Sequence, residues 1–114
     1  MHIDSYQFGR IVIDGTAYTT DCLIIAGAVH PDWWRKQGHM LSADDLAPIV
    51  QAAPSVLVIG TGASAMMKVP DETGEFLERH NIRTQVLDTH KAVTRLNKLA
   101  GAGESVAAAL HLTC

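Results

Sequence analysis

The sequence predicts an α/β fold, a mixed β-sheet with helices packed on it, opened by an antiparallel β segment. Three observations carry this. Residues 6–25 alternate β-formers with polar residues around Asp14-Gly15, a pair that tolerates the positive φ angles of a tight hairpin turn. Val56-Leu57-Val58-Ile59 is a continuous β-branched run ending in glycine, as expected of a strand covered on both faces. Beyond it the periodicity reads strand, helix, strand, helix, strand, which favours parallel pairing through right-handed crossovers.

Taken in order, residues 8–13 and 16–18 form the two strands of the hairpin. A third extended run follows at 21–26 and breaks at Gly27 and Pro31. Ser42-Ala43-Asp44-Asp45 resembles a helix start, because a serine oxygen can accept a free backbone N–H and the acids suit the positive end of the helix dipole. Leu46, Ile49, Val50 and Ala53 fall on one face of that helix. Pro48, unwelcome beyond a first turn, moves the start toward Asp45 or kinks the helix, and Pro54 stops it.

The run from Val56 is the candidate for the sheet centre. Pro70 with Asp71 and Glu72 marks a second helix start, with Phe76, Leu77 and His80 on one side. Residues 84–87 form a strand. Thr89 is the expected cap of a last helix whose Ala92, Val93, Leu96, Leu99 and Ala100 make an apolar stripe closed by Gly101. Residues 105–112 then place Val106, Ala108, Leu110 and Leu112 on one side of a final strand.

With 114 residues, 47% of them hydrophobic, the chain is expected to form a single domain, residues 1–114, with one core of ordinary size. A formal charge of −3, with cations scattered among acids, implies no basic face and argues against nucleic acid as a partner. No stretch approaches the roughly 18 apolar residues that would span a bilayer. The polar first ten residues read as mature protein, and two cysteines are too few for a secreted disulfide framework, so a cytoplasmic location is expected.

Gly60-Thr61-Gly62-Ala63-Ser64-Ala65 matches a dinucleotide fingerprint, with Asp88 where a ribose-binding acid would sit. The fingerprint needs its helix to open at the glycines, whereas the clear helix start here is Pro70, after Met66 and Met67. A second mononucleotide half is missing as well. Two simpler readings are a tight turn, or a site where glycine lets the backbone approach a small anion or polar ligand.

Trp33-Trp34-Arg35-Lys36 sets two aromatics beside two cations in an irregular segment. The cluster either holds an acidic partner or ligand, or sends one tryptophan into the core beneath a loop while the cations stay solvated. The six histidines show no paired metal-ligand spacing, so neither a metal nor a cofactor is expected, and His111 reads as a satisfied strand residue. Ser64 lacks the glycine that follows the serine of a nucleophile elbow. Cys22, in an apolar strand, is expected to be a small buried hydrophobe with a raised pKa, and Cys114 has no visible activating base.

Several segments in order, YQFGRIVIDG at 6–15, Trp34-Arg35 to Gly38-His39, VIGTG at 58–62 and AALHLTC at 108–114, resemble one family. It is the small domain-of-unknown-function family that includes an adipogenesis-associated protein and the mitochondrial respiratory complex I assembly factor three. The resemblance covers nearly the whole chain. It implies a three-layer fold, a mixed central sheet between helices with an added N-terminal β-hairpin, and a ligand pocket. By position, Gly60, Thr61 and Gly62 are the pocket residues it implies, with Trp34 and Arg35 at the border. Leu96-Asn97 stands where many members carry Tyr-Asn, and Asn81 where a glycine is usual.

Two functions follow as expectations. The first is a binding or assembly-factor domain that holds a partner protein during biogenesis of a larger complex, respiratory complex I by resemblance, using hot-spot residue types such as Trp33, Trp34 and Arg35. The second is a small-molecule enzyme or sensor for an anionic ligand, with the glycine loop as cradle, Arg35 as anion clamp and His39 for proton transfer. A redox role for Cys114 ranks third.

Overall fold

The computed structural model describes residues 1–114. A five-stranded mixed sheet runs in the order β5-β4-β8-β6-β7, from Ala28–His30, Cys22–Ile25, Val106–His111, Val56–Thr61 and Arg83–Leu87 respectively. Strand β6 pairs parallel with both β7 and β8, and β4 pairs antiparallel with both β8 and β5. The Val56 run is therefore an interior strand, buried at all its positions, but the middle place belongs to β8.

One face of the sheet carries α3 (Thr89–Gly101) and a small three-stranded sheet; the other carries α1 (Ala47–Ala52) and α2 (Asp71–Arg79). The alternation expected of the last strand sorts its residues between the two layers. Ala108, Leu110 and Leu112 pack with Ile11, Ile24, Val58 and Leu96, while Ala107 and Ala109 pack with Leu57, Ile59, Leu77 and Trp33.

The opening differs from a two-stranded hairpin. Ile3–Gln7 (β1) pairs antiparallel with Arg10–Ile13 (β2), which pairs with Thr16–Tyr18 (β3). The polar first residues conceal β1 because only Ile3 of that strand is buried. The Asn97 side chain ties it to α3, accepting from the Ile3 amide at 2.8 Å and donating to the Ile3 carbonyl at 2.9 Å. Leu96 beside it is fully buried.

Helix starts show the largest departures. Ser42 and Asp45 frame a capping box, in which the Ser42 O–H and N–H both donate to the Asp45 carboxylate, at 2.8 and 2.9 Å. They frame a 3₁₀ turn over Ala43–Leu46. The α-helix starts at Ala47, so Pro48 lies in the first turn, where its missing N–H costs nothing. Asp88, not Thr89, caps α3, accepting the Lys91 amide at 3.0 Å. Asn81, with φ of 60°, follows α2 in the left-handed conformation.

Thr89 is instead buried at the first helical position. Its hydroxyl accepts from the Gly62 amide at 2.8 Å and donates to the His111 carbonyl at 2.7 Å, joining α3 to the ends of β6 and β8. Thr89→Val keeps the shape and strands two buried backbone groups. The expected loss is about 2–4 kcal/mol, read as a lowered urea midpoint with an unchanged slope.

Candidate functional site

The register Cys22↔Leu110 between antiparallel β4 and β8, continued by one step, sets Asp21 opposite His111. Asp21 Oδ1 accepts the Leu112 amide at 2.7 Å, and Oδ2 accepts His111 Nδ1 at 2.7 Å and Arg35 Nη2 at 2.8 Å. Burial by itself raises the Asp21 pKa, but the hydrogen bonds from His111, the Leu112 amide and Arg35 outweigh it and hold the carboxyl below the usual aspartate range. The ionised carboxylate only accepts, so Nδ1 carries the hydrogen. The 3.1 Å approach of Arg35 Nη2 to Nδ1 is then a contact and not a second bond. In the neutral imidazole, Nε2 is left as a bare acceptor, buried and without a partner.

Arg35 is clamped on three sides. Its Nε and Nη2 donate to the Gly38 carbonyl at 3.1 and 2.9 Å, and its guanidinium carbon lies 4.7 Å from the centre of the Trp33 ring. Only Nη1 finds no hydrogen-bond acceptor. Trp33 is buried and donates from its indole N–H to the Asp45 carbonyl at 3.0 Å, whereas Trp34 stands 79% exposed. Lys36 pairs with Asp44 at the surface. The adjacent tryptophans thus divide the two outcomes open to them, core plug and surface contact.

Asp21, Trp34, Arg35 and His111 line one depression of about 310 Å³, together with Thr20 and Thr113. Gly60, Thr61 and Gly62 line none of the depressions of the surface. A Cβ on Gly60 would meet the Thr89 hydroxyl at 2.9 Å, so glycine there lets α3 approach β6. At Gly62, with φ of +109°, a Cβ would lie 2.3 Å from the Cys114 carbonyl carbon. The Thr61 hydroxyl donates to the Leu87 carbonyl at 3.1 Å.

The loop amides are also engaged: Ala63 donates to Thr113, and Ser64 and Met66 donate to the backbone oxygen of Cys114. The glycine segment is the floor on which the last residues rest. His39 is exposed, its ring edge-on to His111 at 5.7 Å between centroids. The Cys22 thiol is pushed up to about 12, first by burial and then by Asp21, which removes it as a nucleophile. No group of three metal-ligating side chains is assembled.

Nothing local in the sequence marks Asp21, and the pattern around His111 reads only as a strand residue. The single signal that joins them is the β4–β8 register, set across 90 positions of chain.

The depressed Asp21 pKa carries a sign. Its stabilising contribution is complete above the ordinary carboxylate value of 3.8 and is lost as pH falls through the lower folded value. Asp21→Asn is expected to cost about 3 kcal/mol at neutral pH, by leaving Arg35 buried without its counter-charge. In urea titrations over an acid pH series, the gap between variant and wild type closes as pH falls through that folded value.

Solved structures share this fold. The protein MT938 is 26% identical over 99% of this chain and 98% of its own, with a TM-score of 0.83. A conserved hypothetical protein from Pyrococcus horikoshii OT3 is 25% identical over the full length of both chains, with a TM-score of 0.85. A Bartonella henselae protein described as an outer membrane protein matches with a TM-score of 0.85 over 98% of this chain and 94% of its own. At 23% identity it shows the shared fold alone. In this chain no helix is long and apolar enough to cross a membrane. The family model for a protein of unknown function, DUF498/DUF598, matches residues 3–111, and the chain belongs to that family.

Proposed function

We propose that this protein is a cytoplasmic binding domain that holds a partner protein during assembly of a larger complex, with no catalysis of its own. One observation carries this. Five large apolar side chains are exposed, and four of them, Phe8, Trp34, Met40 and Met66, belong to residues at or next to contacts with the end of β8 and the segment after it. Phe8 precedes Gly9, whose amide donates to the Leu112 carbonyl, and the Met66 amide donates to Cys114. Trp34 shares its depression with His111 and Thr113, and Met40 follows His39, whose ring meets His111 edge-on.

Aromatic and methionine side chains around a polar, buried centre make a surface of the kind that partner proteins cover. The two cysteines are free thiols, as a reducing compartment keeps them. Respiratory complex I is the assembly suggested by the family resemblance. Trp34→Ser with Met66→Ser is expected to leave the melting temperature within about 3 °C of wild type, since both side chains are exposed. The pair should abolish recovery of a stoichiometric partner from native lysate, and wild-type protein that recovers none defeats the proposal.

A second reading, a small-anion site, has its own support in one unpartnered buried donor, Arg35 Nη1, beside one depression. The site would then centre on Arg35 rather than on the glycine loop, whose amides are spent. Inorganic phosphate or acetate should raise the melting temperature of wild type and not of Arg35→Lys, and equal rises in both would end this reading.

A further inference from the structure

Strand β7 is a free edge. Its Arg83 amide donates to the Ser55 carbonyl at 3.0 Å and its Leu87 carbonyl accepts from Thr61. Because backbone direction alternates along a parallel strand, the N–H and C=O groups of Thr84 and Val86 point away from β6, into open space. This edge has no proline, bulge or covering element, and Val86 is 48% exposed. The hydroxyl of Thr84 is buried without a hydrogen-bond partner.

The two largest depressions of the molecule flank this strand, one on each face. On the α2 side a depression of about 620 Å³ carries three acids, Asp71, Glu75 and Glu78, against one cation, Arg83. On the α3 side one of about 530 Å³ carries Lys91, Arg95 and Lys98, from a helix without a single carboxylate. The nearest ion pairs are loose, Lys91 to Asp88 and Arg83 to Glu104, each at 3.9 Å, and Arg95 and Lys98 have none.

We propose that β7 accepts an extended peptide segment of a partner protein as a sixth strand, with its acidic side chains over α3 and its basic side chains over α2. Side chains of an added strand alternate between the faces, so the two depressions read alternate residues. The charges argue against a second copy of the chain in that place. Antiparallel pairing of two β7 strands about a two-fold axis keeps each face on its own side, and would set Lys91, Arg95 and Lys98 against their own copies. This surface is separate from the apolar patch around β8, and Trp34→Ser leaves it intact.

The test uses a blocked ten-residue peptide of alternating glutamate and lysine, with a control of the same composition in two charge blocks. The alternating peptide should slow amide hydrogen exchange at Thr84 and Val86 at least tenfold, and Arg95→Glu with Lys98→Glu should weaken binding at least tenfold. Val86→Pro removes one outward N–H that no intrachain bond uses, so it should keep the wild-type melting temperature and lose binding. Three results would each overturn the proposal: unchanged exchange at both amides, equal binding of the block peptide, or protection of Thr84 and Val86 that grows with protein concentration in the absence of peptide.

Discussion

The last strand in sequence order occupies the middle of the sheet, and the two layers close only when β8 inserts between β4 and β6. Until it enters, β4 and β6 each have one edge unpaired, and the apolar faces of Ile24, Val58, Leu57 and Ile59 have nothing between them. Its own residues suit the position. Ala107, Ala108 and Ala109 are small, so larger side chains on both faces cover them, and every residue from Ala107 to Leu112 is buried. The contacts made are of long sequence separation, which ties completion of the core to a late, non-local step.

The polar features near the end of β8 follow from that insertion. Bringing Asp21 opposite His111 would strand a carboxylate in a half-dry place, and Arg35, held on Trp33 and Gly38, supplies the counter-charge. A buried pair of this kind gives little net stability against an apolar alternative, because desolvation of both charges offsets most of the attraction. What it gives is position. It locks the irregular segment carrying Trp33 and Trp34 against the strand end, so that one tryptophan is core and the other faces outward. Thr89 does the same from the opposite layer, holding β6 and β8 at one hydroxyl.

Helix α3 shows how one element serves two surfaces. Ala92 and Leu96 face the core, Asn97 holds β1 through its backbone, and Lys91, Arg95 and Lys98 are left on the outside beside the open edge of β7. The formal charge of −3 conceals this separation, since acids on α2 and cations on α3 cancel in the sum while standing on opposite faces of the sheet. Scattered charge along a chain does not imply scattered charge on a surface.

Features that depend on near neighbours are legible in the pattern of residue types. The β-branched run at Val56, the Pro70 helix start, the stripe through Ala92 and Leu96, and the alternation of Val106, Ala108, Leu110 and Leu112 are all written within a dozen residues, and the structure carries them as written. Family membership was legible for a similar reason, as ordered segments over the whole length. Tertiary structure alone decided which strand lies in the middle, that Thr89 joins two strands while Asp88 caps the helix, that the glycines at 60 and 62 admit α3 and the final residues, and that Asp21, Arg35 and His111 meet. Each of these rests on a register or a close approach between segments far apart in the chain, and no local pattern of residue types encodes a distance across 90 positions.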